Sequence, residues 1–462
     1  MGQGLLPFIV EAAPRPMDLT AHAGLTLVAE TMLALGLDAV AEEVLCLRVR
    51  QRGFAEYAKL QALVLLLAGG GECVEDVRVL AGDAGLVRLL GGEVPSPDAL
   101  HDFLAACHDE GALAQRPPEG AWIPSETPGL QALHAVQRAL VHRAVAGGAP
   151  RRATLDLDAT IIESHQREAR PHAQGGRGYQ PVAVLWAEED LVVADQYRDG
   201  NVPAGTRTLE VARRGFDTLP PGVPERFFRG DSACYDEALL KYLARAPIGF
   251  TISADMTPEL REACVDPQVA WTGLEERLEE TVEWGEVVFV PGDWPKDAAP
   301  LRYVAVRLRG RQGRLFADGA ETKYLAVVSN RWEVPAPALL RWHWAKAGTI
   351  EPLHDVTKNE LGAGVPPSGK FGANAAWYRV NLLTYNILTV LKRQARPGRL
   401  VDARPKRLRY EVFTVPAEIH THARQLRARG GAPPLAVTEL IEARQRLRAL
   451  HATLSGAAPA PA

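Results

Sequence analysis

The 462 residues suggest about three domains, and a hydrophobic content of 47% is enough to bury a sizeable core. The net charge of −4, from 52 Lys+Arg against 56 Asp+Glu, argues against nucleic-acid attraction by the chain as a whole, so such a contact needs a local basic segment. The five cysteines (Cys46, Cys73, Cys107, Cys234, Cys264) contain no CxxC pair, which suggests neither a zinc ribbon nor a disulfide framework and fits a reducing cytoplasm.

Residues 1–115 read as a helical region. Asp18 can cap a segment through Leu25, Val28, Met32 and Leu35, and FAEYAKLQALVLLLAG (54–69) is an apolar helix stopped by Gly69, Gly70 and Gly71. A further helix begins at GECVEDVRVL, and Ser96 with Pro97 opens another. Two helices around a glycine turn fit a helix-turn-helix or an ordinary bundle equally. Residues 116–150 are a Pro- and Gly-rich linker followed by a helix.

The pattern then changes to period two. Residues 153–162 read as a strand, 181–187 and 191–197 as a hairpin, 205–217 as a helix, 226–231 as a strand, 232–246 as a helix and 248–253 as a strand. That order predicts an α/β fold with an RNase H-like mixed β-sheet, its first part at 151–254, in which the first and fourth strands are neighbours. Residues 255–337 read as a β-rich insertion (strands near 286–290, 303–308 and 324–329) that carries Trp271, Trp284, Trp294 and Trp332, more simply core residues than base-stacking ones. The core resumes at 338–395 with a final acidic helix from Trp342 and a long helix from Ala373. A basic segment and a low-complexity, disordered tail from Ala452 complete the chain at 396–462.

Three carboxylates carry the chemical signal: Asp158 in TLDLDATIIE, Asp231 in FFRGDSACY and Glu351 in KAGTIEPLHDVTK. Carboxylates delivered from separate elements of one core can hold two Mg²⁺ ions about 3.5–4 Å apart for in-line phosphodiester chemistry. Taken singly, Asp231 reads as a helix cap and Glu351 as a solvated acid, whereas a buried Asp158 requires a partner. Asp156 shares the strand face of Asp158 and is its rival or helper. Lys358, nearly two turns beyond Glu351, shares its helix face and is placed for a phosphate. From Lys392 to Arg409 there are eight basic residues (Lys392, Arg393, Arg396, Arg399, Arg404, Lys406, Arg407, Arg409) and one acid, Asp402, which reads as a solvated linker or a phosphate-contacting segment. His165 and His172 read as surface residues and Arg198, Asp199 and Asn201 as a turn, with a DNA-backbone contact by Arg198 open.

LAGGGECVEDVRVL, EVPSPDALHDFL, TLDLDAT, GYQP, YRDGN, RGDSACY and FGANAAWYRVNLLTYNIL, taken in order over about residues 20–425, resemble the bacterial insertion-sequence transposases with a group-one DDE domain. The resemblance implies an RNase H-like core, Mg²⁺ as cofactor (two ions, with Mn²⁺ as a substitute) and cut-and-paste movement of a DNA element. It implies that Asp158, Asp231 and Glu351 are the catalytic metal ligands. It also implies a phosphate contact by Lys358; from the charge of the basic segment, Arg404, Lys406, Arg407 and Arg409 are the candidate DNA contacts. The family often has an Arg four residues before the Glu; here Ala347 stands there and Lys346 is the substitute candidate. The expected partners are double-stranded element ends and target DNA, bound by a homo-oligomer, with residues 1–115 recognising the ends. A catalytically silent DNA-binding derivative and an RNase H-like nuclease without strand joining remain as alternatives. A soluble cytoplasmic protein, associated with the nucleoid on DNA, is expected: the N-terminus has no signal-peptide pattern, and the apolar run Ala62–Ala68 is too short to cross a bilayer.

Overall fold

The computed structural model describes residues 11, 18–47, 53–292, 294–295, 298–310, 316, 320–395, 398, 400–431 and 433–456. Arg396 and Arg399 of the basic segment, the far N-terminal residues 1–10 and tail residues 457–462 lie outside them.

A nine-stranded sheet forms the middle of the molecule. Its first five strands in the chain are β1 (Arg152–Ala159), β2 (Val182–Trp186), β3 (Leu191–Gln196), β4 (Glu225–Gly230) and β5 (Ile248–Ser253), in spatial order 3-2-1-4-5. β1 pairs antiparallel with β2, and β2 with β3, whereas β1–β4 and β4–β5 are parallel. This is the RNase H-like arrangement expected from the element order. The β-rich insertion does not form a separate layer. Its strands β6 (Thr272–Glu276), β7 (Glu280–Val287), β8 (Arg302–Gly310) and β9 (Thr322–Ser329) form an antiparallel meander, and β9 joins the edge of β5.

Helices cover the sheet. The N-terminal region supplies α1 (Thr26–Ala34), α2 (Leu37–Val44), α3 (Glu56–Gly69), α4 (Ala84–Leu90) and α5 (Pro97–Ala105), and the linker helix is α6 (Pro128–Ala144). Leu25, Val28, Met32 and Leu35 are all fully buried, as their spacing predicts. Asp18 does not cap them; it pairs with Arg88, and the helix begins with a 3₁₀ turn at Ala23–Leu25. Ser96 does cap α5, accepting a hydrogen bond from the Ala99 amide at 3.3 Å. α3 is polar in its first two turns (Glu56, Lys59, Gln61) but buries Leu60 and every residue from Ala62 to Ala68, so it is a core helix.

Between strands run α7 (Thr208–Thr218) and α8 (Glu237–Arg245), followed after the insertion by α9 (Ala336–Trp344), α10 (Ala347–Glu360) and the almost wholly buried α11 (Phe371–Val390). Arg379 of α11 is enclosed between Asp195 of β3, with two bonds of 2.9 Å, and Glu126 of the linker at 2.7 Å. This charged knot ties the linker to the sheet. Among the described residues no single helix is long and apolar enough to cross a membrane.

The C-terminal part differs from expectation. Residues 417–430 form a hairpin of β10 (Ala417–His422) and β11 (Gln425–Gly430), and α12 (Pro434–Ser455) packs back on α1. Ala452–Ser455, expected in a disordered tail, are the last turn of α12.

Candidate active site

The two aspartates come together because of strand register. β1 and β4 are parallel neighbours, and their last pairs are Asp156 with Arg229 and Leu157 with Gly230. The next residue on each chain is an acid. Asp158 is near the end of β1, and Asp231 leaves β4 immediately after Gly230 and caps the turn Ser232–Cys234, accepting from the Ala233 amide at 3.2 Å. Capping and a chemical role are compatible, since one oxygen remains free. Burial pushes the Asp231 carboxyl up, Lys346 pulls it down, and the charge of Asp158 raises it further, so the two carboxylates share one field.

α10 lies across this end of the sheet. Lys346, at its N-terminus, places Nζ 3.4 Å from Asp158 Oδ1, and its side chain is only 12% exposed. His354, eight residues along on the same helix, approaches Asp158 Oδ2 to 3.8 Å. Positions 346, 350, 354 and 358 form an i+4 row; Ile350 is fully buried beneath it, and Lys358 at its far end donates to the Ile161 carbonyl at 3.5 Å. His354 is buried, neither ring nitrogen has a hydrogen-bond partner, and burial followed by Lys358 and Lys346 lowers its pKa to about 3. It is a neutral imidazole against the acid pair. The sequence reading missed it; its signal was the helical spacing of three from Glu351 and four from Lys358.

Glu351 is on the exposed side of α10, about 60° around the helix from His354. Asp158 and Asp231 are therefore brought together, with Lys346 and His354 between them and the helix, whereas Glu351 stands at the border. Among the described residues no group of three or more His, Cys, Asp or Glu is close enough to hold a metal ion. The pair itself fits a hard divalent cation by chemistry: two carboxylates with free oxygens in one field, already attracting a cationic side chain.

Asp156 has a different task. Arg229, directly opposite on β4, grips it with two bonds of 2.6 and 2.7 Å, and the Thr349 hydroxyl donates to it at 2.5 Å. Arg229 also donates to the Trp342 carbonyl at 2.7 Å. The ion pair thus links β1, β4, the end of α9 and the start of α10. All oxygens of Asp156 are committed, so it supports the site and does not form part of the acid pair.

The basic segment is largely used within the fold. Arg409, half-buried, donates to the carbonyls of Ala68 and Leu67 at 2.9 Å each and to that of Glu360, closing the end of α3, so it is engaged inside the fold. Arg404 pairs with Asp355 and Glu360, and Arg407 with Glu411, although both remain half-exposed. The Lys406 side chain is exposed, and its backbone amide donates to Glu360 at 2.9 Å. Arg198 is buried, donating to Gln196 and the Ala204 carbonyl, so it makes no backbone contact with DNA. His172 is buried, contrary to its surface assignment, whereas His165 is exposed. Of the insertion tryptophans, Trp294 is buried, Trp271 packs beside Tyr324 and Arg307, and Trp332 is 57% exposed.

The mixed sheet thus has an RNase H-like strand order and carries an acid at the end of its first strand and another just beyond its fourth. The chain belongs to the transposase DDE domain group 1 family, whose sequence profile matches residues 9–451. No curated protein matches it by sequence. Among solved structures it is similar to a piggyBac transposase, seen by cryo-EM in a synaptic complex with hairpin DNA. The identity is 13%, covering 96% of this chain and 86% of that one, with a TM-score of 0.46. The protein is thus a DDE transposase by family, a kind of enzyme that cleaves DNA.

Proposed function

We propose that this transposase binds the double-stranded ends of an insertion sequence, cleaves them and joins the freed 3′-OH ends to target DNA. The observation that carries the reading is the placement of Asp158 and Asp231 at adjacent strand ends under α10. Two divalent ions, Mg²⁺ with Mn²⁺ as a substitute, would be held by Asp158, Asp231 and Glu351, and when bound they supply charge neutralisation at the attacking and leaving oxygens. Asp158 and Asp231 present oxygens fixed by the sheet. Glu351, free of close packing, completes the set as α10 meets DNA. Lys346 neutralises the acid pair in the DNA-free protein and can then turn to a phosphate. Lys358, about two turns along α10, holds the strand beyond the scissile bond as a point charge. Arg404, Lys406 and Arg407 offer further phosphate contacts, Lys406 being the freest. The N-terminal helical region and the requirement for two ends support a homo-oligomer assembled on DNA, working on nucleoid DNA in the cytoplasm.

The test is Mg²⁺-dependent cleavage of a duplex carrying the element's terminal repeat by Asp158→Asn, Asp231→Asn and Glu351→Gln, alongside gel-shift binding. Each substitution keeps shape and removes a ligand's charge, so cleavage is lost and binding retained. Full cleavage by Asp231→Asn would sink the assignment. Loss through Asp158 and Asp231 with full activity of Glu351→Gln would leave the acid pair standing and pass the third role to another group on α10.

A further inference from the structure

The cations that the sequence offers most openly, Arg404 to Arg409, are mostly engaged inside the fold. A second set of arginines stands on the β10–β11 hairpin, where among the described residues Arg424 and Arg427 have no ion-pair partner and Arg429 has only a long one. We propose that this hairpin is a DNA-contacting ribbon that lays Arg424, Arg427 and Arg429 on the phosphodiester backbone of duplex DNA. The proposal deepens the DNA-binding reading above and rests on it.

Pair register fixes the two faces. Ala417 and Ile419 stand opposite Gly430 and Ala428, and this face is packed inward with Ala23, Val415 and Leu440. The outer face carries Glu418, His420 and His422 opposite Arg429, Arg427 and Gln425. Arg427 and Arg429 are thus neighbours along one strand face, about 6.8 Å apart at the rise of an antiparallel strand. Among the described residues, Arg427 and Arg424 have no ion-pair partner, while Arg429 meets Glu418 only at 4.0 Å with side chains 72% and 54% exposed. Among the described residues β11 is also an edge strand, with no strand paired on its outer side.

The turn supplies an independent sign. His422 pairs with Gln425, so the loop is the two residues Ala423 and Arg424. Both have left-handed backbones, φ +52° and +62°. That geometry is required by the tight hairpin turn and is normally given to Asn-Gly, because a Cβ is strained there. A strained Ala-Arg tip is retained where it does something other than stabilise, and the side chain it projects is an arginine. The base is firm. The Ile419 amide donates to the Asp18 carbonyl at 2.7 Å, and Arg88 of α4 donates to the Thr421 hydroxyl at 3.0 Å. A ribbon held at its base by Leu19–Thr20 and two-stranded beyond it, with a cationic tip and outer face, is complementary to the polyanionic surface of a DNA groove.

The experiment is fluorescence anisotropy of a labelled random-sequence duplex against the full-length protein over a range of salt. Changing Arg424, Arg427 and Arg429 to Ala together is expected to weaken binding and to reduce the log–log salt slope by about 0.9 for each phosphate no longer neutralised. A triple variant with the wild-type slope and affinity would overturn the proposal while leaving DNA binding elsewhere on the protein intact. A wild-type protein that fails to bind duplex at all would overturn both readings together. Two single variants separate a direct role from a structural effect. Ala423→Gly and Arg424→Gly both relieve the left-handed strain and both raise the unfolding midpoint, but only Arg424→Gly loses DNA affinity. Equal DNA binding by the two would show that the tip does not touch DNA.

Discussion

Asp156→Asn and Asp158→Asn remove the same charge two residues apart on one strand, and the structure predicts opposite signatures for them. Asp156 is fully buried and Arg229 is 3% exposed. Asn at 156 keeps one acceptor but turns an amide toward the guanidinium and leaves the Arg229 charge without compensation. Breaking such a buried pair from one side costs about 3–5 kcal/mol. Asp158 is more open, at 19%, and Asp231 remains to balance Lys346 after its loss; the stability change should be within about 1 kcal/mol. Urea unfolding followed by circular dichroism, paired with Mg²⁺-dependent cleavage, reads both effects. Asp156→Asn should shift the midpoint strongly to lower urea and, while folded, retain some cleavage; Asp158→Asn should unfold at nearly the wild-type midpoint and not cleave. Replacing Asp156 and Arg229 together by apolar residues should recover part of the loss, because an apolar pair leaves no buried charge. An Asp156→Asn protein with the wild-type midpoint and no cleavage would refute the clamp and make Asp156 the catalytic acid.

Acid should destabilise the fold through its buried histidines. Burial lowers His134 and His343 to about 4 and His354 to about 3, from an ordinary 6.5. The unfolded chain therefore binds protons that the folded one refuses. The stability associated with these groups is complete above about pH 6.5 and falls as pH drops toward 4, by about 1.4 kcal/mol per pH unit for each histidine; His134→Gln should flatten the urea-midpoint profile by about one proton. Arg409→Ala should lower stability by about 1–3 kcal/mol, by stripping donors from buried carbonyls, and leave the DNA salt slope unchanged. Lys406→Ala should do the reverse, reducing the slope by about 0.9 without moving the midpoint if Lys406 meets a phosphate.

The sheet half of the site was readable from sequence because strand order and register are set by local signals. TLDLDAT and FFRGD are short, apolar and bounded by turns, and the order of elements makes β1 and β4 neighbours; Asp158 and Asp231 then follow. What Arg229 and Arg409 would do was not readable. Each is a charged residue whose partners are distant in sequence, 73 residues away for Asp156 and 341 for Ala68. A run of cations looks solvated until the carbonyls it faces are known. The β10–β11 hairpin was missed for another reason. EIHTHARQLRA has little apolar alternation, and its turn carries no glycine or asparagine, so neither of the usual signals was present.

The site divides between a part fixed by strands and a part fixed by one helix. Parallel pairing up to Leu157 and Gly230 fixes where β1 and β4 end, and so keeps Asp158 and Asp231, the next residue on each, close together. Glu351, Lys346, His354 and Lys358 share α10, and a rotation of that helix moves all four at once, exchanging which of them faces the acids. The start of α10 is held by Thr349 on Asp156, and the end of α9 by the Trp342 carbonyl on Arg229. The Asp156–Arg229 pair thus sets the rotation of α10 over the strand ends. A weakened clamp would act on chemistry through helix position, showing as slower cleavage at normal DNA affinity, since a small misplacement of a reacting group costs rate more than binding.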